Sequence, residues 1–218
     1  MPLSVLIATP HSIIAVSTFH IVAHRVAVSW PWYVIRAAGF VAAGLLFMLM
    51  LSGIGHVTGL TYKFIEPIKA WAIHKALAIA LCVSIAVHGG FLLIDHFVPF
   101  SLTQILVPFA SHYNNGTKLW GLPLGGIAVT LGILATYGVI IVVLSSLGWI
   151  DTKRKAWRKL HYISYAVAFF VFLHALYIGT DLRYGVFRKI WIGLGIVVLI
   201  GILSRLLRVG TTRNPDDT

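Results

Sequence analysis

Four histidines sit inside otherwise apolar stretches: His74 and His88 in "WAIHKALAIALCVSIAVHGG", His161 and His174 in "RKLHYISYAVAFFVFLHAL". An imidazole in an apolar span is expensive, and intramembrane ionisable residues are as a rule functional. Fourteen residues separate the first two and thirteen the second two. At 1.5 Å of rise per helical residue the separations are about 21 and 20 Å, so two parallel neighbouring helices would carry the imidazoles at two levels. His74 then faces His161, and His88 faces His174. Two bis-imidazole sites, one per leaflet, are what two b-type hemes need, because neutral imidazole is a good axial ligand for iron. A lone histidine in a span is often an interhelical hydrogen-bond donor; four in two depth-matched pairs are not expected from packing alone. With a single cysteine, Cys82, the chain has no CxxCH motif, so the hemes are expected to be non-covalent. One feature is not accounted for by spacing. Fourteen residues at 100° return to within about 40° of the same helix face, whereas thirteen leave the second histidine about 140° from the first.

The elements that must position these residues follow from composition. With 59% hydrophobic and 11% charged residues and a mean hydropathy of +0.92, the chain reads as a polytopic membrane protein. Apolar runs predict five spans, at about 33–56, 70–94, 122–147, 158–179 and 187–207. Tryptophans 30, 32, 71, 120, 149, 157 and 191 fall at or just outside their ends, where amphipathic rings settle at headgroup level. Residues 1–29 form an apolar segment interrupted by Pro10, His11, His20 and His24, which is either a sixth span or an interfacial segment. The predicted fold is therefore an all-α transmembrane bundle over residues 30–208, followed by a polar tail, 209–218.

The densest positive cluster is Lys153, Arg154, Lys155, Arg158 and Lys159, and the positive-inside rule makes the 151–159 loop cytoplasmic. The 57–70 loop and the C-terminal tail, with Arg205, Arg208 and Arg213, follow it inward; the 95–121 loop faces outward. Both histidine-bearing helices then begin on the cytoplasmic side and run parallel. The net charge of +11 borders membrane spans, so it is read as contact with lipid headgroups or an acidic partner rather than nucleic acid.

The two spacings on parallel helices resemble the ferric-reductase-like transmembrane domain of NADPH oxidases, ferric reductases and the heme-binding subunit of the methionine sulfoxide reductase system. "WPWYVIRAAGFVAAGLL" is similar to the first core helix of stand-alone bacterial members of that family. "IHKALAIALCVSIAVHGGFLLIDHFVPF" resembles their first heme helix and "AWRKLHYISYAVAFFVFLHALYIGTD" their second. The resemblance covers about residues 30–208 and implies an inner heme on His74 and His161 and an outer heme on His88 and His174. It implies transfer of single electrons from a cytoplasmic-side donor to an extracytoplasmic acceptor, in the bacterial plasma membrane.

The larger relatives carry flavin and nicotinamide domains, whereas no dinucleotide fingerprint follows a strand in these residues. The expected donor is thus a separate cytoplasmic flavoprotein reductase, docking on the 151–159 loop, or a membrane quinol. Arg36 and Arg183 are candidates to pair with heme propionates through bidentate charge-assisted bonds. His96 and His112, in the outer loop, are weaker candidates for a metal-ion acceptor, and His11, His20, His24 and His56 take no assigned role. Two other readings use the same histidines: a quinol-oxidising cytochrome b, and a heme-free metal transporter.

Overall fold

The computed structural model describes residues 10–119 and 121–211. Helices dominate, and five of them are long and apolar enough to cross a membrane: Ser29–Thr58, Pro67–Leu92, Leu124–Trp149, Arg154–Ile178 and Gly185–Arg205. The first belongs to a longer helix, α1 (Pro10–Thr58), which runs on with Pro31 inside it. At 49 residues, α1 is about 74 Å long, more than twice the hydrocarbon thickness. No turn separates residues 10–28 from the first span. Residues 1–9 and 212–218 lie outside the described residues, as do the side chains of His11, His20 and His24.

Helix α2 (Pro67–Leu92) opens with proline at its first position, where the missing N–H costs nothing. A short α3 (Leu102–Leu106) carries a reciprocal Ser101–Gln104 capping box in the connection to α4 (Leu124–Trp149). That connection also holds a two-residue antiparallel pairing, Lys118–Leu119 with Leu122–Pro123, turning at Gly121 with φ +82°. The fourth span is not one helix. α5 (Arg154–His161) ends at the histidine itself, and α6 (Ile163–Ile178) restarts after Tyr162. Around the break the amides of Tyr162 and Tyr165 bond three residues back, to Lys159 O and Tyr162 O, at 3.3 and 3.1 Å. Helix α7 (Gly185–Thr211) completes the bundle.

Packing is pairwise: α1 against α2, and α4 against α5 and α6. The two pairs meet in a core of Leu46 and Met50 from α1, Leu81 from α2, Ala135 and Val139 from α4, and Val167 from α6. Gly138 lets α4 and α6 approach closely, since a Cβ there would come within 2.5 Å of Val167 Cγ2. Helix α7 leans on the outside through Gly201 against Ile54, Gly195 against Phe172, and a stacked Phe172–Trp191 pair. Large apolar side chains remain exposed on all five spans, as expected where lipid rather than water is the surrounding solvent. These features make the chain a multi-pass membrane protein.

Candidate functional site

The structure brings the four histidines together in the two pairs the spacing predicts. His74 and His161 have ring centroids 6.4 Å apart, and so do His88 and His174. The tightened turn at Tyr162 bears on the thirteen-residue interval. A straight helix would turn His174 away from the face of His161, but around Tyr162, still in αR at φ −64° and ψ −18°, the amides bond three residues back, and a turn of that kind rotates about 120° per residue rather than 100°, which recovers part of the offset.

Each pair sits in a niche cut into a facing helix. At the end of the bundle bearing the 93–123 connection, here the loop end, His88 lies over Gly39 of α1 and His174 over Gly132 of α4. A Cβ at Gly39 would stand 3.2 Å from His88 Nδ1, and one at Gly132 would stand 2.6 Å from His174 Nδ1. His88 Nδ1 reaches the Ile35 carbonyl at 2.9 Å and His174 Nδ1 the Ala128 carbonyl at 2.7 Å. In both cases that carbonyl belongs to the residue four before the glycine. A carbonyl oxygen only accepts, so Nδ1 carries the proton in both rings and Nε2 keeps its lone pair.

The end bearing the 151–159 loop, here the basic end, is built differently. His74 lies over Gly53 at an ordinary 3.7 Å, and its Nδ1 meets a side chain, Ser52 Oγ, at 3.1 Å. His161 Nδ1 is buried without a hydrogen-bond partner among the described residues. A third imidazole, His56, sits 5.4 Å from His74 and stacks on Tyr62 at 5.6 Å, and among the described residues neither of its ring nitrogens has a partner within hydrogen-bond geometry. His56 takes no assigned role in the sequence reading; the structure puts it beside His74.

Between the two levels lies the apolar core. Leu81 is midway between His74 and His88, Leu46 midway between Gly39 and Gly53, and Val167 between His161 and His174. The pairs are therefore separated by packed side chains rather than by a polar channel.

The 6.4 Å centroid separation is a test of fit. An imidazole nitrogen binds a first-row divalent metal at about 2.0–2.1 Å, and the ring centre lies about 1.1 Å further, so two imidazoles on one metal have centroids about 6.3 Å apart. Both pairs meet that distance, and at the loop end the tautomer leaves Nε2 as the donor atom. Groups of three or more metal-ligating side chains are absent among the described residues; the arrangement is two-ligand, as axial ligation of a macrocycle requires.

Arg36 and Arg183 both engage protein groups. Arg36 forms a two-point ion pair with Asp181, its Nε at 2.8 Å from the carboxylate, and lies over the Trp32 ring. Arg183 donates to the Asn115 carbonyl at 3.0 Å, fastening the 93–123 connection to the residues after α6. His96 and His112 are exposed; His112 lines a cavity of about 320 Å³ with Phe109, Tyr113 and Ile127, and His96 does not. Arg205, counted among the inward-facing charges and lying within the predicted span 187–207, donates to Tyr165 Oη inside the bundle.

No curated protein matches the chain, and no solved structure does. Residues 38–173 match the family described as the ferric reductase like transmembrane component. That match takes in His74, His88, His161 and both glycine niches and ends one residue short of His174, and the chain belongs to the ferric-reductase-like transmembrane family.

Proposed function

We propose that the protein is a transmembrane di-heme b-type cytochrome, with one heme on His74 and His161 and the other on His88 and His174. Family membership supports a transmembrane electron-transfer role. The observation that carries the finer reading is the equal 6.4 Å separation of two histidine pairs, each drawn from two helices. Heme held there supplies reversible one-electron chemistry. The chain's own contribution is to orient imidazoles, exclude water and fix distance. The Ile35 and Ala128 carbonyls hold two rings in the ligating tautomer, and the Leu46, Leu81 and Val167 layer keeps the space between the levels dry.

Charge sets the direction in this reading. Lys153, Arg154, Lys155, Arg158 and Lys159 place the basic end in the cytoplasm, so electrons enter there and leave at the loop end. The donor is a separate cytoplasmic flavoprotein or a membrane quinol, and the acceptor is extracytoplasmic. Arg183 and the paired Arg36 stand at the acceptor end. The decisive experiment is heme analysis of the purified protein. About two non-covalent hemes per chain and a low-spin b-type spectrum are expected; active protein free of heme would falsify the reading. Cysteine labelling from outside should reach a probe at position 115 and spare one at 154, and the reverse pattern would exchange the donor and acceptor ends.

A further inference from the structure

Arg36 at the loop end and Arg205 at the basic end both reach in among the helices, and of these two only Arg36 has a carboxylate among the described residues. Arg36, at the loop end, is neutralised by Asp181. Arg205, at the basic end, donates Nη1 to Tyr165 Oη, and its guanidinium carbon lies 5.2 and 5.4 Å from the ring centres of Tyr162 and Tyr165. Its Nε is buried with no hydrogen-bond partner among the described residues.

A guanidinium inside an apolar bundle is costly unless paired and hydrogen-bonded. The chain offers it no acid among the described residues. Glu66 is exposed and taken by Lys69, Asp95 is buried in the 93–123 connection where it accepts from Val98 N, Asp151 is exposed, and Asp181 belongs to Arg36. The tyrosines that hold Arg205 place it beside the basic-end histidine pair. Tyr162 follows His161 directly, and Tyr165 lies four residues on, one helical turn along. His161 Nδ1 is itself without a partner. The unmatched cation and the unfinished imidazole thus occupy one neighbourhood.

We propose that Arg205 is the anion-binding residue of the basic-end site, and that its anion is a propionate carboxylate of the heme held by His74 and His161. The inference rests on the di-heme reading above. A propionate arrives with the macrocycle inside the bundle, where the buried Nε can be reached. A lipid phosphate stays at headgroup level. Guanidinium and carboxylate form the strong, two-point charge-assisted bond that Arg36 and Asp181 already display at the other end.

The test uses the full chain carrying His88→Leu, so that only the basic-end site takes heme, loaded with either protoheme or its dimethyl ester, which lacks both propionate charges. With protoheme, Arg205→Met should weaken heme affinity by about tenfold or more, the scale of a charge-assisted bond, and lower the midpoint potential, since a cation near the heme favours the reduced form. Arg205→Lys should recover part of both. With the ester, the chain retaining Arg205 should bind as weakly as Arg205→Met binds protoheme, and the substitution should add less than about a twofold change. Undiminished protoheme affinity and potential in Arg205→Met would overturn the proposal. So would equal weakening of both hemes, which marks a scaffold role, or a loss seen only when anionic lipid is withdrawn, which marks a headgroup contact. If Arg205→Met does not accumulate, Arg205→Gln replaces it in the same comparison. Failure of the parent chain to bind either heme would instead sink the di-heme reading and this inference with it.

Discussion

The two histidine pairs have the same separation and opposite kinds of support. At the loop end both imidazoles lie over glycines and donate Nδ1 to main-chain carbonyls, Ile35 and Ala128. At the basic end one Nδ1 meets the Ser52 hydroxyl and the other has no hydrogen-bond partner among the described residues, while His56 and Arg205 bring further unpartnered nitrogens to that end. A carbonyl belongs to the helix, cannot rotate and admits one tautomer. A hydroxyl rotates and can donate or accept. The loop-end pair is therefore fixed by the backbone, and the basic-end pair is left adjustable by side chains, at the end where a donor is proposed to engage.

The sharpest way to break the comparison is to remove one level. His88→Leu or His174→Leu should abolish the loop-end heme and leave the other spectrally visible; His74→Leu or His161→Leu should do the converse. Heme content should fall by about half in each case, and the His88→Leu, His174→Leu double variant should lose little more than either single one, because the two ligands act as a unit. If His88→Leu and His161→Leu lose the same heme, the level pairing is wrong despite the 6.4 Å separations.

Next in size is a graded glycine series. A Cβ would meet His174 at 2.6 Å from Gly132, His88 at 3.2 Å from Gly39 and His74 at 3.7 Å from Gly53. Gly132→Ala should displace its imidazole and cost most of the loop-end heme, and Gly39→Ala should weaken the same site less. Gly53→Ala should leave heme binding unchanged and raise thermal stability, since alanine is favoured over glycine in a helix by roughly 0.8–1.0 kcal/mol. Heme retention during thermal unfolding reads all three. Equal tolerance of Gly132→Ala and Gly53→Ala would show that the niches do not position the rings.

Much of this was legible from sequence, for identifiable reasons. Spans are visible because lipid demands long apolar runs, and the levels are visible because helical rise converts residue intervals into depth. Rotation about the helix axis is less readable: nothing in the sequence marks the tightened turn at Tyr162, which recovers part of the angle the thirteen-residue interval leaves. The glycine niches left a signal that went unused. Gly39 and Gly53 are fourteen residues apart, the interval between His74 and His88, as two facing antiparallel helices require. The Arg36–Asp181 pair spans 145 residues, and nothing local marks it. Charge counting gives Arg205 its end of the bundle but cannot tell a snorkelling arginine from one turned inward against a tyrosine.

The smallest expected effect concerns the hydroxyl at the basic end. Ser52→Ala removes the hydroxyl that His74 Nδ1 meets while leaving the ring over Gly53. Outer hydrogen bonds to a ligating histidine orient the ring and raise its basicity, and losing one costs roughly 10–100-fold in metal affinity where the partner is a carboxylate or carbonyl. A neutral hydroxyl that rotates gives less, so the change should sit at or below the lower end of that range. The basic-end heme should bind about tenfold more weakly or less and shift to a higher potential, because a less basic imidazole stabilises the oxidised iron less. The loop-end heme should keep its affinity and potential, since its imidazoles answer to Ile35 and Ala128. Redox titration with both hemes resolved is the measurement. A shift confined to the loop-end heme would mean that the two supports have been assigned to the wrong levels, and a shift of both would mean that the apolar layer of Leu46, Leu81 and Val167 does not insulate one site from the other.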